Sequence, residues 1–527
     1  LAKIPYTWKP CSGNGSCGKC RVRLLSGEVD SSPSRHISPE EYQAGWRLAC
    51  GCKVVSDAEI LVPDIASAYQ SRMKTADLSS PEEVALFTAI QEDVQAAGIA
   101  FETGFRALTV ALAEPSLDDT LPDDERLTRA VCEAAGVSRV EIPHSVMVRL
   151  AETLRQYDFR VCVKGRLEED RFVVLDLTGP ADTGMYAAAI DIGTTTVSAV
   201  LAELPGGKIV AKGSGGNGQI RYGADVINRI IEQGKPGGRK KLQDAIGKET
   251  LVPLLANLCR TAGISARSIL QLCVAANTTM NHLFVGVDAQ SVRMEPYIPS
   301  FFHWDGLLAG DVKLPANPLA QVLIAPNIGS YVGGDITAGV FASLIWNQPE
   351  FSLFIDLGTN GEIVFGNSDF MMSCACSAGP AFEGGNIRYG IAGVPGAIDT
   401  VTIFDNHPAI STISNKKPIG ICGTGVIETV YELVKEKIVD NTGLIADKYF
   451  DNGYPLTENI SFTNKDIREV QLAKSAIRAG IEILVTSYGI DYSQIAHLYL
   501  AGGFGQKINY TKAVGIGMLP KELNDRI

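Results

Sequence analysis

One short pattern occurs twice in this chain and limits the folds that it can adopt. Segments 189–197 (AIDIGTTTV) and 354–363 (FIDLGTNGEI) share the order apolar, Ile, Asp, apolar, Gly, Thr. The two copies are too far apart to be neighbouring units of a solenoid, whose repeats are ~20–50 residues long. The repeat therefore predicts two similar lobes, at about 184–348 and 349–527, each of which begins with a β-hairpin.

The sequence around the repeat predicts an α/β architecture. From Tyr186 onward, runs rich in Ala, Ile and Val end in glycines, and amphipathic segments separate these runs. Such alternation is typical of α/β domains. Helices are predicted at 224–232, 336–344, 425–437 and 467–485. Residues 184–527 are therefore predicted to form one two-lobed α/β domain.

Two further regions are predicted before this domain. Residues 67–122 are predicted to be a linker, in which 79–81 resembles a helix start and 114–124 is an acidic break that contains prolines. Residues 123–183 are predicted to form a small middle α/β domain. Its predicted helices and strands lie at 124–135, 143–157, 159–164 and 171–177.

The charge balance excludes several classes of partner. The chain has 47 Lys and Arg against 59 Asp and Glu, a net charge of −12, which is unsuited to broad binding of nucleic acid or anionic membranes. The sequence contains no run of ~18 apolar residues, so no transmembrane helix is predicted. We therefore expect no nucleic-acid partner, no membrane partner and a cytoplasmic location. The start at Leu1 and the end at Ile527 indicate a fragment of a longer chain.

A cysteine cluster near the N-terminus predicts an iron–sulfur site. Cys11, Cys17 and Cys20 have the spacing C-x5-C-x2-C, and Cys50 and Cys52 follow. This spacing differs by one residue from the C-x4-C-x2-C loop of plant-type [2Fe–2S] ferredoxins. A zinc ribbon, the alternative, needs paired C-x2-C hooks. The pattern therefore predicts a [2Fe–2S] cluster whose fourth ligand is Cys50 or Cys52.

A resemblance to known ferredoxins chooses between these two cysteines. Segment 46–50 (WRLAC) resembles the Arg-Leu-Ala-Cys element of adrenodoxin-like ferredoxins, which selects Cys50. Residues 1–66, with strand-like runs at 20–25 and 59–62, are accordingly predicted to be a β-grasp, ferredoxin-like domain. Only ten residues precede the first cysteine of the cluster, so the hairpin that ferredoxins carry there is absent or the domain is incomplete.

Both copies of the repeat predict a turn that binds phosphate. Asp191 and Asp356 follow buried strands, where a carboxylate can hold Mg²⁺ through water. Gly193 and Gly358 let the backbone approach a phosphate group. The groups that can donate hydrogen bonds to this phosphate belong to Thr194, Thr195, Thr359 and Asn360.

A third glycine-rich element completes a nucleotide-binding pattern. Gly502 and Gly503, in segment 499–505 (YLAGGFG), suit an adenine lying flat against the backbone. Gly423 and Gly425 open a predicted helix whose N-terminus suits a phosphate or a ribose. The order of these motifs resembles the phosphate-1, phosphate-2 and adenosine motifs of the superfamily of acetate kinase, sugar kinases, Hsp70 and actin. The resemblance implies a two-lobed, ribonuclease H-like ATPase.

Two residues of the preceding helix resemble a ribose contact. Gln471 and Lys474 have the spacing of the Glu-x-x-Lys contact in Hsp70-type members of this superfamily. The alternative for both is an ordinary solvated helix face.

The whole chain resembles one family, the ATP-dependent reductive activators of corrinoid proteins, which serve methyltransferase systems in anaerobes. The resemblance rests on the cysteine cluster, the nucleotide motifs and segments 114–117 (EPSL), 222–226 (YGADV) with Arg229, 277–280 (NTTM), 333–335 (GGD) and 378–384 (AGPAFEG). It implies transfer of one electron from the [2Fe–2S] cluster to Co(II) of a corrinoid protein, which gives Co(I), coupled to ATP hydrolysis. Other implied partners are Mg²⁺ and an upstream electron donor; a homodimer is left open.

The same resemblance implies a role for each candidate residue. The cluster ligands are Cys11, Cys17, Cys20 and Cys50. Mg²⁺ and water are positioned by Asp191 and Asp356. Phosphate is held by Gly193, Thr194, Thr195, Gly358, Thr359 and Asn360. The nucleoside is held by Gly423, Gly425, Gln471, Lys474, Gly502 and Gly503. Asp335 and Glu383 are candidates for orienting water, with a purely structural role as the alternative.

Other functions remain open from the sequence. A small-molecule kinase would use the same fold with an accessory iron–sulfur domain. An activator of 2-hydroxyacyl-CoA dehydratases would need a [4Fe–4S] cluster, for which Cys374 and Cys376 are candidates, although the N-terminal cysteines make a second cluster unnecessary. An Hsp70-like module would need a peptide-binding domain after the ATPase.

Overall fold

The computed structural model describes residues 21–31, 34, 37–61, 74–75, 81–101, 103–223, 225–358, 360–391, 393–505 and 507–527. Contacts divide the chain into two compact units, 1–335 and 336–527. Within the described ranges, no helix has the length and apolar character needed to cross a lipid bilayer. The predicted α/β class is confirmed, because helices and strands alternate through both units.

The first unit begins with a small β-rich region. Its elements are β1 (Arg21–Ser26), β2 (Val29–Ser31), α1 (Pro39–Gln43), β3 (Trp46–Leu48), β4 (Cys52–Val54) and β5 (Glu59–Leu61). β1 lies between β3 and β5 in an antiparallel sheet, and β2 pairs with β4. α1 begins after Ser38, which forms a capping box with Glu41. β1 and β5 confirm the strands predicted at 20–25 and 59–62.

A four-stranded α/β domain follows. β6 (Lys74–Thr75) precedes it and belongs to the six-stranded sheet described below. The elements that follow β6 are α2 (Pro81–Ala96), β7 (Phe105–Ala111), α3 (Asp123–Ala135), β8 (Arg139–Glu141), α4 (His144–Gln156), β9 (Arg160–Glu168) and β10 (Arg171–Thr178). The sheet order is β7-β9-β10-β8, with β8 parallel to β10. Its core includes Leu127, Leu154 and Phe172, which are fully buried.

β7 corrects the predicted boundary of the linker. The sequence predicts a linker over 67–122, yet β7 lies within it and pairs with β9 along its whole length. The two buried side chains of β7, Phe105 and Val110, do not follow a period of two, so the alternation that signals a half-buried strand is missing. The helix start predicted at 79–81 is confirmed by α2.

The rest of the first unit is built on a six-stranded sheet. Its elements are β11 (Tyr186–Ile192), β12 (Thr196–Glu203), β13 (Ile209–Gly216), α5 (Val226–Gln233), α6 (Gly238–Ile246), α7 (Val252–Ala262), β14 (Ile269–Ala276), α8 (Thr278–Val285), β15 (Gln321–Ile324) and α9 (Gly334–Ser343), the last of which continues into the second unit. The strand order is β15-β14-β11-β12-β13-β6. β11 and β12 form the predicted hairpin, and β14 and β15 continue the sheet in parallel.

The second unit repeats the start of this topology. Its elements are β16 (Phe351–Leu357), β17 (Gly361–Gly366), β18 (Met371–Cys376), β19 (Ala397–Phe404), β20 (His407–Thr412), β21 (Gly420–Ile421), α10 (Gly423–Lys435), β22 (Tyr454–Pro455), β23 (Ser461–Phe462), α11 (Asn464–Tyr488), β24 (Ile495–Ala501), α12 (Gly502–Gly505) and α13 (Tyr510–Gly515). The main sheet has the order β18-β17-β16-β24, and β24 is parallel to β16. β11 of the six-stranded sheet and β16 of this sheet each lie between an antiparallel hairpin partner and a parallel strand.

A buried histidine connects α8 to the loop before β15. His282 is fully buried, its Nδ1 lies 2.7 Å from the Thr278 carbonyl oxygen, and its Nε2 accepts a hydrogen bond of 3.0 Å from the Ser300 N–H. The ring therefore carries its single proton on Nδ1. Burial lowers the pKa of His282 below its ordinary value of 6.5.

We expect this histidine to make the protein less stable in acid. Because the unfolded chain binds a proton that the folded His282 excludes, the free energy of unfolding should fall as the pH drops below about 6.5. His282→Gln should lower that free energy by about 1–3 kcal/mol at pH 8, since it disrupts two buried hydrogen bonds, and should flatten the pH dependence. Urea unfolding between pH 5 and 8 measures both effects. His407→Gln, at an exposed histidine, should keep the wild-type slope; an unchanged slope in His282→Gln would contradict the assignment.

Candidate functional site

Asp191 lies at the end of β11, in the six-stranded sheet of the first unit. It is the penultimate residue of β11, exposed, and paired in register with Ser198 of β12 and Ala275 of β14. The chain then turns sharply at Gly193, where a Cβ atom would lie 2.6 Å from the Thr196 carbonyl oxygen. Only glycine fits this close approach, so the turn depends on the glycine that the repeat predicted.

Two residues, Asn217 and Arg229, hold the carbonyl groups of the turn. The Asn217 side chain donates to the Gly193 carbonyl at 2.8 Å, the Asn217 N–H donates to the Thr195 carbonyl at 2.8 Å, and Arg229 Nη2 donates to the Thr194 carbonyl at 2.5 Å. In a trans peptide the carbonyl and the following N–H point in opposite directions. Within each of these peptides, the N–H of the following residue therefore points away from the donor that holds the carbonyl.

The N-terminus of α8 lies next to this turn. Asn277 caps α8, because its Oδ1 accepts from the Met280 N–H at 2.9 Å, and its Nδ2 donates to Thr194 Oγ1 at 3.3 Å. A Cβ atom on Gly333 would lie 2.4 Å from Asn277 Cα, so the 333–335 segment packs directly against this cap. Asp335 is half-buried in the first turn of α9, two residues beyond that contact.

Asp356 takes the equivalent position in the second unit. It is the penultimate residue of β16 and pairs with Glu362 of β17 and Ala501 of β24. Burial raises the pKa of Asp356 from 3.8 to about 6. Gly502 has a φ of +84°, and a Cβ atom there would lie 2.6 Å from Asp356 Oδ1. The structure therefore brings the predicted phosphate-2 and adenosine motifs together at one carboxylate.

Two stacked rings extend this neighbourhood to the start of α10. The rings of Phe382 and Phe504 are stacked with centroids 5.1 Å apart. A Cβ atom on Gly423 would lie 1.8 Å from the Phe382 carbonyl oxygen, and one on Gly425 would lie 2.1 Å from the Ile398 carbonyl oxygen. The N-terminus of α10 is thus packed against backbone close to Gly502.

Gln471 and Lys474 lie on α11, and the hydrogen bonds of Gln471 are made within the protein. The Gln471 side chain donates to the Thr442 carbonyl at 3.0 Å and accepts from Arg468 at 2.6 Å. Lys474 is half-buried one turn later, where burial and the nearby Arg478 lower its pKa. These contacts join α11 to the 440–443 loop, and the ribose role of both residues stays a prediction.

The described cysteines of the N-terminal region differ in their surroundings. Cys50 is half-buried on a single turn between β3 and β4. Cys52 begins β4, its Sγ donates to the Leu48 carbonyl at 3.2 Å, and burial raises the pKa of its thiol. The choice of Cys50 as the fourth cluster ligand stays a prediction. Cys11, Cys17, Cys20 and Thr359, and the side chain of Glu383, lie outside the described part of the structure.

Sequence reasoning missed four residues that build these sites. Asn277 and Arg229 belong to motifs that carried the family resemblance but had no assigned role, and Asn217 gave no signal. Glu362 is nearly buried and lies directly opposite Asp356. The hairpin register could have revealed it, because opposite residues of an antiparallel pair have adjacent side chains.

The contact between Gly502 and Asp356 can be tested with its neighbour as a control. Gly502→Ala should lower the free energy of unfolding by about 1–3 kcal/mol, because it places a side chain at positive φ against a carboxylate. Gly503→Ala should change it by less than about 0.5 kcal/mol, since no atom lies within 4 Å of its Cβ position. Urea unfolding without nucleotide measures both variants. Equal losses would contradict the described contact.

Four protein-family models match the chain in order. They are the "2Fe-2S iron-sulfur cluster binding domain" over 6–55, the "RACo linker region" over 94–183, the "RACo middle region" over 186–348 and the "C-terminal domain of RACo the ASKHA domain" over 350–527. The iron–sulfur and ATPase parts that the sequence predicted are thus each matched by a model.

Relatives match across both parts. The corrinoid activation enzyme RamQ of Eubacterium limosum is 34% identical, covering 97% of this chain and 84% of that protein. The [Co(II) methylated amine-specific corrinoid protein] reductase of Methanosarcina barkeri is 28% identical over 38% of this chain and 40% of its own. A solved structure of a reductive activator for corrinoid, iron–sulfur protein is 33% identical, covers 98% of this chain and 85% of its own, and superposes with a TM-score of 0.71.

Proposed function

This chain belongs to the family of ATP-dependent reductive activators of corrinoid proteins, and we propose how its own residues carry out that activity. The activity is the one-electron reduction of Co(II) to Co(I) in a corrinoid protein, coupled to ATP hydrolysis. The observation that carries it is a relative at 34% identity across 97% of the chain. A small-molecule kinase and a 2-hydroxyacyl-CoA dehydratase activator, the alternatives from the sequence, are not favoured.

The first nucleotide-binding turn is assigned to the residues that follow β11. Its N–H groups and the hydroxyls of Thr194 and Thr195 would hold a phosphate group, while Asp191 would orient Mg²⁺ through water. Bound Mg²⁺ neutralises phosphate charge during phosphoryl transfer. Support comes from the hydrogen bonds of Asn217 and Arg229, which hold the Gly193 and Thr194 carbonyls and so fix the peptides that carry the N–H groups of Thr194 and Thr195.

A second nucleotide-binding turn is assigned to the residues after β16. Asp356 would orient Mg²⁺ and water, and Gly358, Thr359 and Asn360 would hold phosphate. The backbone of Gly502, Gly503, Gly423 and Gly425 would hold the nucleoside, with Gln471 and Lys474 near the ribose. Asp335 and Glu383 are the candidates for orienting water. The close approach of Gly502 to Asp356 supports this assignment.

The N-terminal domain is assigned the role of carrying the transferred electron. Cys11, Cys17, Cys20 and Cys50 would hold the [2Fe–2S] cluster, which supplies one-electron chemistry when bound. Cys52 would remain a protonated thiol within the domain. The proposal includes an upstream donor that reduces this domain and a cytoplasmic setting; a homodimer remains a hypothesis.

ATP is needed because the transfer is uphill. A one-electron step costs about 1.4 kcal/mol per 59 mV, so an assumed gap of ~200 mV costs roughly 4.7 kcal/mol. A nucleotide can supply this only by binding two protein states with different affinities. We therefore propose that the ATP-bound state favours a complex in which cobalt is easier to reduce.

The coupling is tested by anaerobic spectroscopy. Reduced protein mixed with a Co(II) corrinoid protein should give little Co(I) without ATP and much more with it. Asp191→Ala and Asp356→Ala should each lower ATP hydrolysis by roughly two orders of magnitude or more, because positioned metal and charge are lost. Asp170→Asn, at an exposed acid of the β9–β10 turn, is the charge-matched control. Equal Co(I) yields with and without ATP would favour the kinase alternative.

The fourth cluster ligand is tested separately. Cys50→Ser should remove the visible absorption of the [2Fe–2S] cluster, whereas Cys52→Ser should preserve it because that thiol is bonded to the Leu48 carbonyl. ATP binding should persist in both variants. Loss of absorption in Cys52→Ser with retention in Cys50→Ser would reverse the assignment.

A further inference from the structure

Arg229 is a charged residue placed entirely inside the first unit. Its exposed fraction is 0%, and it is among the largest fully buried side chains of the described structure. α5 carries it one turn after its N-cap Asp225, whose Oδ1 accepts from the Asn228 N–H at 2.8 Å. Arginine is almost never fully buried unless specific partners hold it, so the contacts of this guanidinium indicate its role.

The guanidinium joins three separate segments. Nε donates to the Gly223 carbonyl at 2.9 Å, Nη1 lies 3.1 Å from Met280 Sδ on α8, and Nη2 donates to the Thr194 carbonyl at 2.5 Å. Only a planar fork with several fixed donors can reach all three at once. Arg229 therefore fixes the turn after β11 relative to α5 and α8.

The bond to Thr194 acts on the face of the turn that the nucleotide would meet. Donation to the Thr194 carbonyl polarises the peptide between residues 194 and 195, which makes the N–H of Thr195 a stronger donor. The same bond fixes the direction of that N–H, since the peptide is planar. Arg229 thus acts on the phosphate side of the turn while lying behind it.

We propose that Arg229 is a positioning residue that sets the affinity of the first phosphate turn for ATP through the Thr194 carbonyl. This inference rests on the proposed function only in that the turn binds ATP. Arg229 would not contact the nucleotide, so its removal should weaken ATP binding while leaving the rate at saturating ATP within a few fold of wild type.

The test compares three variants. Arg229→Met removes the charge and the fork, and should raise the KM and the Kd for ATP roughly 10- to 100-fold, the loss expected for a hydrogen bond from a charged group. Arg229→Lys keeps the charge with a single flexible donor group and should give an intermediate increase. Gln233→Leu is the matched control, because Gln233 is buried one turn later on α5 and holds the Val287 carbonyl and the Ala289 N–H instead.

The readouts separate a local effect from general destabilisation. Urea unfolding should show losses of stability in Arg229→Met and Gln233→Leu, while only the Arg229 variants should change the Kd for ATP, measured by calorimetry on the full chain. If Arg229→Met fails to fold, the Kd for ATP of Arg229→Lys decides whether the inference holds. A wild-type Kd in the Arg229 variants, or an equal increase in Gln233→Leu, would overturn the inference.

The proposed function can fail independently. If the wild-type protein binds ATP but reduces Co(II) equally without it, the coupling is wrong and the effect of Arg229 on the Kd still decides this inference. If the wild-type protein binds no ATP, both are overturned.

Discussion

The arrangement of the candidate nucleotide-binding turn in each unit depends on one kind of strand pairing. In the main sheet of each unit, the strand that carries the repeated motif pairs in parallel with a strand that returns only after several helices, β11 with β14 and β16 with β24. Parallel neighbours end at the same edge of a sheet, where open α/β sheets bind ligands. The pairing therefore sets Asp191 beside Ala275 and Asp356 beside Ala501. In each sheet, two loops that are distant in sequence therefore begin next to each other, beside the carboxylate of Asp191 or Asp356.

The two units use this shared position in different ways. In the first unit, side chains of Asn217 and Arg229 hold the turn, and Asp191 is exposed. In the second unit, the backbone of Gly502 approaches Asp356, whose pKa burial raises to about 6. Excluding water around a carboxylate favours its protonated form, and a nearby cation would reverse that preference. A bound metal ion would therefore stabilise the ionised form of Asp356.

The iron–sulfur and ATPase parts occupy different regions of the chain, and the proposed coupling acts through protein states to which ATP binds with different affinities. On the ATPase side, the first turn is attached by Arg229 and Asn277 to α5 and α8. On the electron-transfer side, β3 and β4 flank the turn that carries Cys50, while the Cys52 thiol at the start of β4 donates to the Leu48 carbonyl at the end of β3. In each part, the residues that would bind the cluster or the nucleotide are thus different from the neighbouring residues that hold them in place.

Local pattern in the sequence was sufficient for the hairpins, the long helices, the order of the motifs and the family resemblance, because glycine turns and hydrophobic periodicity act over a few residues. The strand β7 was not recognisable, since only its pairing with β9 makes it a strand. Nor could local pattern place Arg229 behind Thr194 or Gly502 against the Asp356 carboxylate. Those neighbours are distant in sequence or fixed by register, and their burial and hydrogen bonding arise only when the sheets and helices close around them.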